Sequence, residues 1–147
     1  MADLRKQVVV ALDGSENSLR AVLTAADLAD AMGRELALLY VYPYGKRGKR
    51  PAELAGVTEA SFDEHQRSVS ESIFAGAIAE LGSRRRPLQR YLLAGDPASE
   101  IISFLAENPG VHLVMGRRGL SKLKALLMGS VSDKVTRHAS GLVTVVG

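Results

Sequence analysis

The chain contains no cysteine, no tryptophan and only three histidines, which lie far apart in the sequence. Without cysteine there can be no disulfide framework, no thiolate nucleophile and no thiolate metal site. The histidines show no metal-ligand spacing either. No apolar run approaches the roughly 20 residues that a membrane-spanning helix needs, and the first residues lack the pattern of a signal peptide. We therefore expect a soluble, cytoplasmic protein that is not embedded in a membrane.

What remains is the composition of an ordinary globular domain. With 147 residues, of which 46% are hydrophobic, the chain is large enough to bury one core and too short for two. We therefore expect residues 1–147 to form a single domain.

Positive charge is concentrated in three short segments. The formal net charge is +3, and the basic clusters lie at residues 46–50, 84–86 and 117–124. The first two are most simply solvated loops. The third lies among closely spaced glycines, where attraction of phosphate is the better interpretation. No recognition helix, zinc finger or aromatic-basic platform accompanies the charge, so we expect no nucleic-acid partner.

Short apolar runs alternate with amphipathic stretches along the chain. Strands are predicted at Gln7–Leu12, Glu35–Tyr42, Leu88–Ala94, Val111–Met115 and Leu142–Val146. Helices are predicted from the Ser15 cap to Gly33, from about Thr58 to Leu81, from Asp96 to Asn108, and from about Ser130 to His138. Residues 43–57, rich in Gly, Pro and basic residues, are predicted as a surface loop. This alternation predicts a parallel sheet with helices on both faces.

The segment from Val111 to Ser132 has the features of a phosphate site. A buried-strand pattern runs into Gly116, Gly119 follows, and after nine further residues come Gly129 and Ser130 at a helix start. Glycine lets backbone N–H groups approach an anion closely, and a helix N-terminus favours negative charge. Parallel sheets bind ligands outside the carboxyl ends of strands where the strand order reverses. If the first and fourth strands flank that point, Asp13 lies beside this loop.

Each of these residues also has a purely structural explanation. Asp13 could start a turn or cap the first helix, the first two glycines could form a tight turn, and Ser130 could be a helix cap. Their joint spacing favours a ligand site. The tyrosines at positions 40, 42 and 44 could stack on a base, although burial or loop packing is the more ordinary role.

At these residues the chain resembles the universal stress protein family, and specifically its ATP-binding branch. The pattern of that branch is Gly, two residues, Gly, nine residues, Gly and then Ser or Thr, and it is met here without departure in spacing. The opening VVVALDGSENS, the strand LALLYVY and the ending SGLVTVVG share the resemblance. The expected fold is therefore a single-domain α/β structure, an open five-stranded parallel sheet of order 3-2-1-4-5, of the Rossmann-like, adenine-nucleotide-binding type.

The resemblance implies a set of binding residues and two cofactors, ATP and Mg²⁺. Adenine would lie against Ala11 and Val41, and Asp13 would meet the divalent cation that bridges to the triphosphate. Other residues would line the ribose and phosphates or donate hydrogen bonds to them: Met115, Gly116, Gly119, Gly129, Ser130, Val131 and Ser132. Direct phosphate contacts from Arg117 or Arg118 are left open.

The first functional hypothesis is an ATP-binding regulatory stress protein whose nucleotide occupancy controls its oligomeric state or a partner such as a membrane transporter. A homodimer through Leu142–Val146 is expected, and a tetramer is considered when ATP is bound. Other hypotheses are a flavin or mononucleotide redox carrier and a slow ATPase. Binding and regulation are favoured over catalysis, because the chain has no Walker A pattern and no evident base.

Overall fold

The computed structural model describes residues 6–44, 59–117 and 129–147. Within these ranges strands and helices alternate as the sequence predicts. The strands are β1 (Gln7–Leu12), β2 (Glu35–Pro43), β3 (Gln89–Gly95), β4 (His112–Gly116) and β5 (Leu142–Val146). The helices are α1 (Glu16–Met32), α2 (Glu59–Leu81), α3 (Pro97–Glu107) and α4 (Ser130–His138), and a short 3₁₀ turn, Gly82–Arg84, follows α2.

The strands form one parallel sheet in the order β3-β2-β1-β4-β5, which confirms the predicted fold class. β1 is the central strand, with Ala11 opposite Leu39 on β2 and opposite Met115 on β4. The order reverses between β1 and β4, since the chain first builds outward to β3 and then returns to the other side. The predicted switch point therefore lies at the carboxyl ends of β1 and β4.

Alternate side chains of the strands pack into two hydrophobic cores on opposite faces of the sheet. Val8 and Val10 pack with α1 and α2, whose buried aromatic residues include Phe74. Val9 and Ala11 pack on the other face with α3 and α4. The two-residue period of a strand explains this division, because successive side chains point to opposite faces. Among the described residues no helix is long and apolar enough to cross a membrane.

Local signals fix where the helices begin and end. The Ser15 hydroxyl accepts a hydrogen bond from the Ser18 N–H and caps α1, and Gly33 ends the helix with a left-handed φ of 65°. Asp96 caps α3 through the Ser99 N–H, and Pro97 takes the first helical position. These are the cap residues that the sequence predicted.

The basic cluster at residues 84–86 is more ordered than a solvated loop. Arg84 pairs with Asp27 at 2.8 Å and with Asp30 at 2.9 Å, and Arg86 pairs with Asp30 at 2.7 Å. Hydrogen bonds from Arg86 and then from Arg84 hold the pKa of Asp30 below its usual range. The first cluster, and the third beyond Arg117, lie outside the described residues. The paired arginines link the end of α1 to the connection between α2 and β3.

Candidate functional site

A cavity of about 290 Å³ opens at the carboxyl ends of β1, β2 and β4. The first turns of α1, α3 and α4 surround it, because each of these helices begins just after a strand ends at this edge. The cavity continues the core on the α3 and α4 face, since Ala11, Val41, Met115 and Ile101 belong to both. Its walls are mainly apolar, and its polar lining residues are Asp13, Ser18, Tyr40 and the serines at the start of α4.

The structure brings the predicted binding residues together around this one cavity. Those from the ends of β1, β2 and β4 are Ala11, Asp13, Val41, Met115 and Gly116. Those from the start of α4 are Gly129, Ser130, Val131 and Ser132. Gly119 lies outside the described residues. Segments that are far apart in the sequence therefore meet at the switch point, as the order of the strands requires.

Asp13 occupies both the turn and the cavity. Its Oδ1 accepts hydrogen bonds from the Ser15 N–H at 2.9 Å and from the Ser15 hydroxyl at 2.5 Å. The Asp13 N–H lies 3.4 Å from the Ser18 hydroxyl, so the first turn of α1 fixes the backbone as well. Among the described residues no donor is found for Oδ2. The turn and the ligand explanations of Asp13 are thus compatible, since one carboxylate oxygen serves the turn and the other is left for solvent or a cation.

A cation at Asp13 would depend on further ligands from a bound molecule. In the part of the chain that the structure describes, no group of three or more His, Asp or Glu side chains is arranged to hold a metal. Mg²⁺ is commonly held by one or two carboxylates together with phosphate oxygens and water. Asp13 supplies one carboxylate to a cavity that the start of α4 also lines, which is compatible with that pattern.

The start of α4 presents backbone N–H groups at the cavity. Gly129 is the N-cap, and its φ of −65° and ψ of 159° form an extended conformation that any residue adopts. The N–H groups of the first helical turn have no acceptor within the helix, and a glycine cap has no side chain to satisfy them. Asp133 already donates its N–H to the Gly129 carbonyl. Residues 130–132 therefore offer the donors that could meet an anion.

The hydroxyl of Ser132 is hydrogen-bonded within the protein. It donates to the carbonyl of Arg117 and lies 3.2 Å from the carbonyl of Gly129. Ser132 is only 2% exposed. In this structure its one hydroxyl proton is used inside the protein, which leaves the backbone N–H of Ser132 as its donor at the cavity.

Gly116 is needed for packing against α1. A Cβ at this position would lie 2.9 Å from the carbonyl carbon of Asn17 and 2.9 Å from its Cβ. These atoms belong to the first turn of α1, which crosses the end of β4. Packing against α1 is therefore a sufficient reason for glycine at position 116, and its role toward the phosphates stays a prediction.

Some lining residues were not predicted: Leu12, Ser18, Leu39, Tyr40, Pro43, Pro97 and Ile101. The sequence contained the information needed to place them. α3 begins at the carboxyl end of β3, so its first turn must reach the same edge of the sheet. Leu39 precedes Val41 by two residues and shares its face of β2. Strand order was therefore sufficient to place them, once the neighbours of β1 were assigned.

The aromatic rings of the β2 tyrosines pack in the core on the α2 side of the sheet. Tyr40 packs edge-on against Phe74, with ring centroids 6.5 Å apart, and Tyr42 packs edge-on against Phe62 at 5.5 Å. Burial, followed by the electrostatic effects of Tyr42 and Asp13, raises the pKa of Tyr40. The Tyr40 hydroxyl is therefore neutral at physiological pH. Burial was the expected role, and the rings of Tyr40 and Tyr42 are held by the α2 side of the sheet.

Comparison with known proteins gives a consistent result. The model of the universal stress protein family matches residues 5–147. Universal stress protein YxiE of Bacillus subtilis is 30% identical over 147 residues, which cover 95% of this chain and 97% of that relative. Among solved structures, a universal stress protein in complex with cAMP is 26% identical with a TM-score of 0.64, and each chain covers 97% of the other. The universal stress protein of Archaeoglobus fulgidus in complex with dAMP is 21% identical with a TM-score of 0.64, covering 96% of this chain and 97% of that one.

The match spans nearly the whole chain, and the five-stranded sheet around the cavity has the fold of these solved proteins. The chain belongs to the universal stress protein family.

Proposed function

We propose that this protein binds an adenine nucleotide, with Mg-ATP as the physiological ligand, and acts by regulation rather than by catalysis. One observation carries the proposal: the residues of β1, β2, β4 and α4 that the sequence and its family resemblance indicated line a single cavity at the switch point of the sheet. A role in turn formation alone would not require them to meet there.

The distribution of polarity supports a nucleotide. The side chains of Val41, Ile101 and Met115 make an apolar region suited to the flat faces of a base. Asp13 and the α4 N-terminus make a polar region suited to phosphates and their cation. The volume of about 290 Å³ lies near the lower end of the range of roughly 300–1,000 Å³ for small-molecule sites. We therefore assign the base and ribose to the enclosed part and the phosphates to the open side.

The relatives support adenine as the base. The solved complexes named above contain cAMP and dAMP, which share adenine and carry one phosphate each. Gly129 gives a second argument for a bound anion, because its backbone conformation is one that any residue can adopt. Its identity as glycine is explained if a bound anion takes the space where a side chain would stand.

We propose that nucleotide binding controls the assembly of this chain into oligomers. β5 is an edge strand, and its Leu142 is 54% exposed. An apolar edge with unpaired backbone groups can pair with another chain, and twofold dimers are the commonest oligomers. We propose a homodimer through Leu142–Val146, with a tetramer in the presence of ATP. The proposed partner under its control is a cytoplasm-facing protein such as a membrane transporter.

The alternatives have weaker support in this cavity. A flavin carrier would need side chains that shield the ring, whereas the rings of Tyr40 and Tyr42 pack against α2. A slow ATPase would need a group that activates water. Among the described lining residues Asp13 is the sole carboxylate and there is no histidine, so we favour binding.

The substitution Gly129→Val tests the site. A valine side chain should occupy the position of the phosphates and abolish binding, as measured by calorimetry with Mg-ATP. The extended backbone at residue 129 accepts valine, so thermal stability without ligand should change little. Ser140→Ala, at an exposed serine beyond α4, is the matched control and should bind like the wild type. Unchanged affinity in Gly129→Val would refute the assignment of the phosphate site.

A further inference from the structure

The backbone of residue 117 connects the start of α4 to the edge of the sheet. The Arg117 N–H donates to the Val146 carbonyl at 2.7 Å, one residue beyond the last β4–β5 pair. The Arg117 carbonyl accepts from the Gly129 N–H at 2.8 Å and from the Ser132 hydroxyl. Both of these donors belong to the first turn of α4. One residue is therefore bonded to β5 through its N–H and to α4 through its carbonyl.

The chain itself makes a second connection between α4 and β5. Residues 139–141 alone separate His138, at the end of α4, from Leu142, at the start of β5. The Ala139 N–H donates to the Val135 carbonyl at 2.8 Å and closes the helix end. β5 is thus tied to α4 at its start by this short connection and at its end by residue 117. A displacement of α4 acts on both ends of the strand, because packed elements move as rigid units.

Ser132 is the side chain that completes the link. The Gly129 N–H is a backbone group and is kept in any variant, whereas the Ser132 hydroxyl can be removed by substitution. Because Ser132 is only 2% exposed, bulk water does not compete for the hydrogen bond of its hydroxyl. A carbonyl oxygen has two lone pairs, and both are used at residue 117 when the hydroxyl is present. The hydroxyl therefore determines how firmly the first turn of α4 is held to residue 117.

We propose that Ser132 is a positioning residue that couples occupancy of the α4 N-terminus to the edge strand β5. The proposal rests on the nucleotide site argued above. An anion held by the N–H groups of residues 130–132 draws the first turn of α4 toward the cavity. The bond from the Ser132 hydroxyl passes this displacement to residue 117 and so to Val146. Nucleotide binding thereby changes the strand that we assign to the dimer interface.

Hydrogen exchange at the amide of residue 117 tests the coupling in the full-length protein. In the wild type, saturating Mg-ATP should slow this exchange roughly fivefold or more, the factor that one neutral hydrogen bond represents. In Ser132→Ala, at concentrations of Mg-ATP that saturate the variant in calorimetry, the slowing at residue 117 should be lost. Slowing at the first amides of α4 should remain. A residue of purely structural importance would change the exchange equally with and without nucleotide.

Further variants and outcomes make the test decisive. Ser132→Cys keeps the side-chain volume and has a weaker donor, so it should give the same loss if Ser132→Ala does not fold. Ser72→Ala, at an exposed serine on α2, should retain the wild-type response. A wild-type response at residue 117 in Ser132→Ala would overturn the coupling, as would Mg-ATP binding to the wild type without any change there. Absence of Mg-ATP binding to the wild type would instead refute the proposed function, and the coupling with it.

Discussion

Replacing Gly116 with alanine should destabilise the fold even though the residue lines the candidate site. The added Cβ would lie 2.9 Å from the carbonyl carbon and the Cβ of Asn17 and 3.1 Å from the Asn17 carbonyl oxygen. Comfortable contacts between carbon atoms begin near 3.5 Å, so α1 and β4 must separate by about 0.6 Å or more. The neighbouring atoms are backbone and Cβ atoms, which cannot rotate out of the way.

The expected magnitude is that of overpacking. Gly116→Ala should lower the free energy of unfolding by about 1–3 kcal/mol. Gly76→Ala is the matched control, because Gly76 lies inside α2 and nothing stands within 4 Å of a Cβ built there. That substitution should raise the stability by about 0.5–1 kcal/mol, since alanine is the better helix former. The same chemical change is therefore expected to have opposite signs at the two glycines.

Urea denaturation of the ligand-free proteins measures both effects. The midpoint should fall for Gly116→Ala and rise for Gly76→Ala, with similar slopes if the transition stays two-state. Wild-type stability in Gly116→Ala combined with loss of nucleotide binding would refute the packing argument, because it would mean that Gly116 is a glycine for the ligand alone.

Two further predictions concern charge. Asp13→Asn keeps an acceptor for Ser15 but removes the negative charge. It should therefore weaken the binding of Mg-ATP more than the binding of metal-free AMP. Equal losses of affinity in calorimetry would mean that Asp13 holds no metal. Burial, and then the nearby charge of Arg34, lowers the pKa of His112 below its usual 6.5, so the unfolded chain takes up the proton first. Stability should be full above about pH 6.5 and should fall as the pH drops from there toward the lower folded pKa. His112→Gln should reduce this loss in denaturation curves. An unchanged pH dependence in His112→Gln would contradict this account of the buried imidazole.

The elements and their order were predictable because local signals coincided with the hydrophobic pattern. Ser15 and Gly33 bound α1 as their cap chemistry requires, and Asp96-Pro97 starts α3. The predicted bounds of β3 differ by one residue at each end, since strand ends have no comparable cap. Right-handed crossovers predicted a parallel sheet with helices on both faces, and the strand order followed from the family resemblance.

Site details that depend on distant contacts were not predictable. The need for glycine at position 116 arises from Asn17, which lies far away in the sequence. The hydroxyl of Ser132 is taken by the carbonyl of Arg117, which the glycine pattern does not reveal. The ion pairs of Arg84 and Arg86 likewise require the end of α1 beside them. In each case the residue type was visible, and its partner was set by tertiary packing.

Extraction of the purified protein with acid, followed by mass spectrometry of the released small molecules, tests the central claim most directly. The proposed site predicts an adenine nucleotide in stoichiometric amount, or its stoichiometric uptake when the protein is first incubated with Mg-ATP. Gly129→Val should release none. A flavin in the extract, or no adenine nucleotide from the wild type after that incubation, would contradict the account.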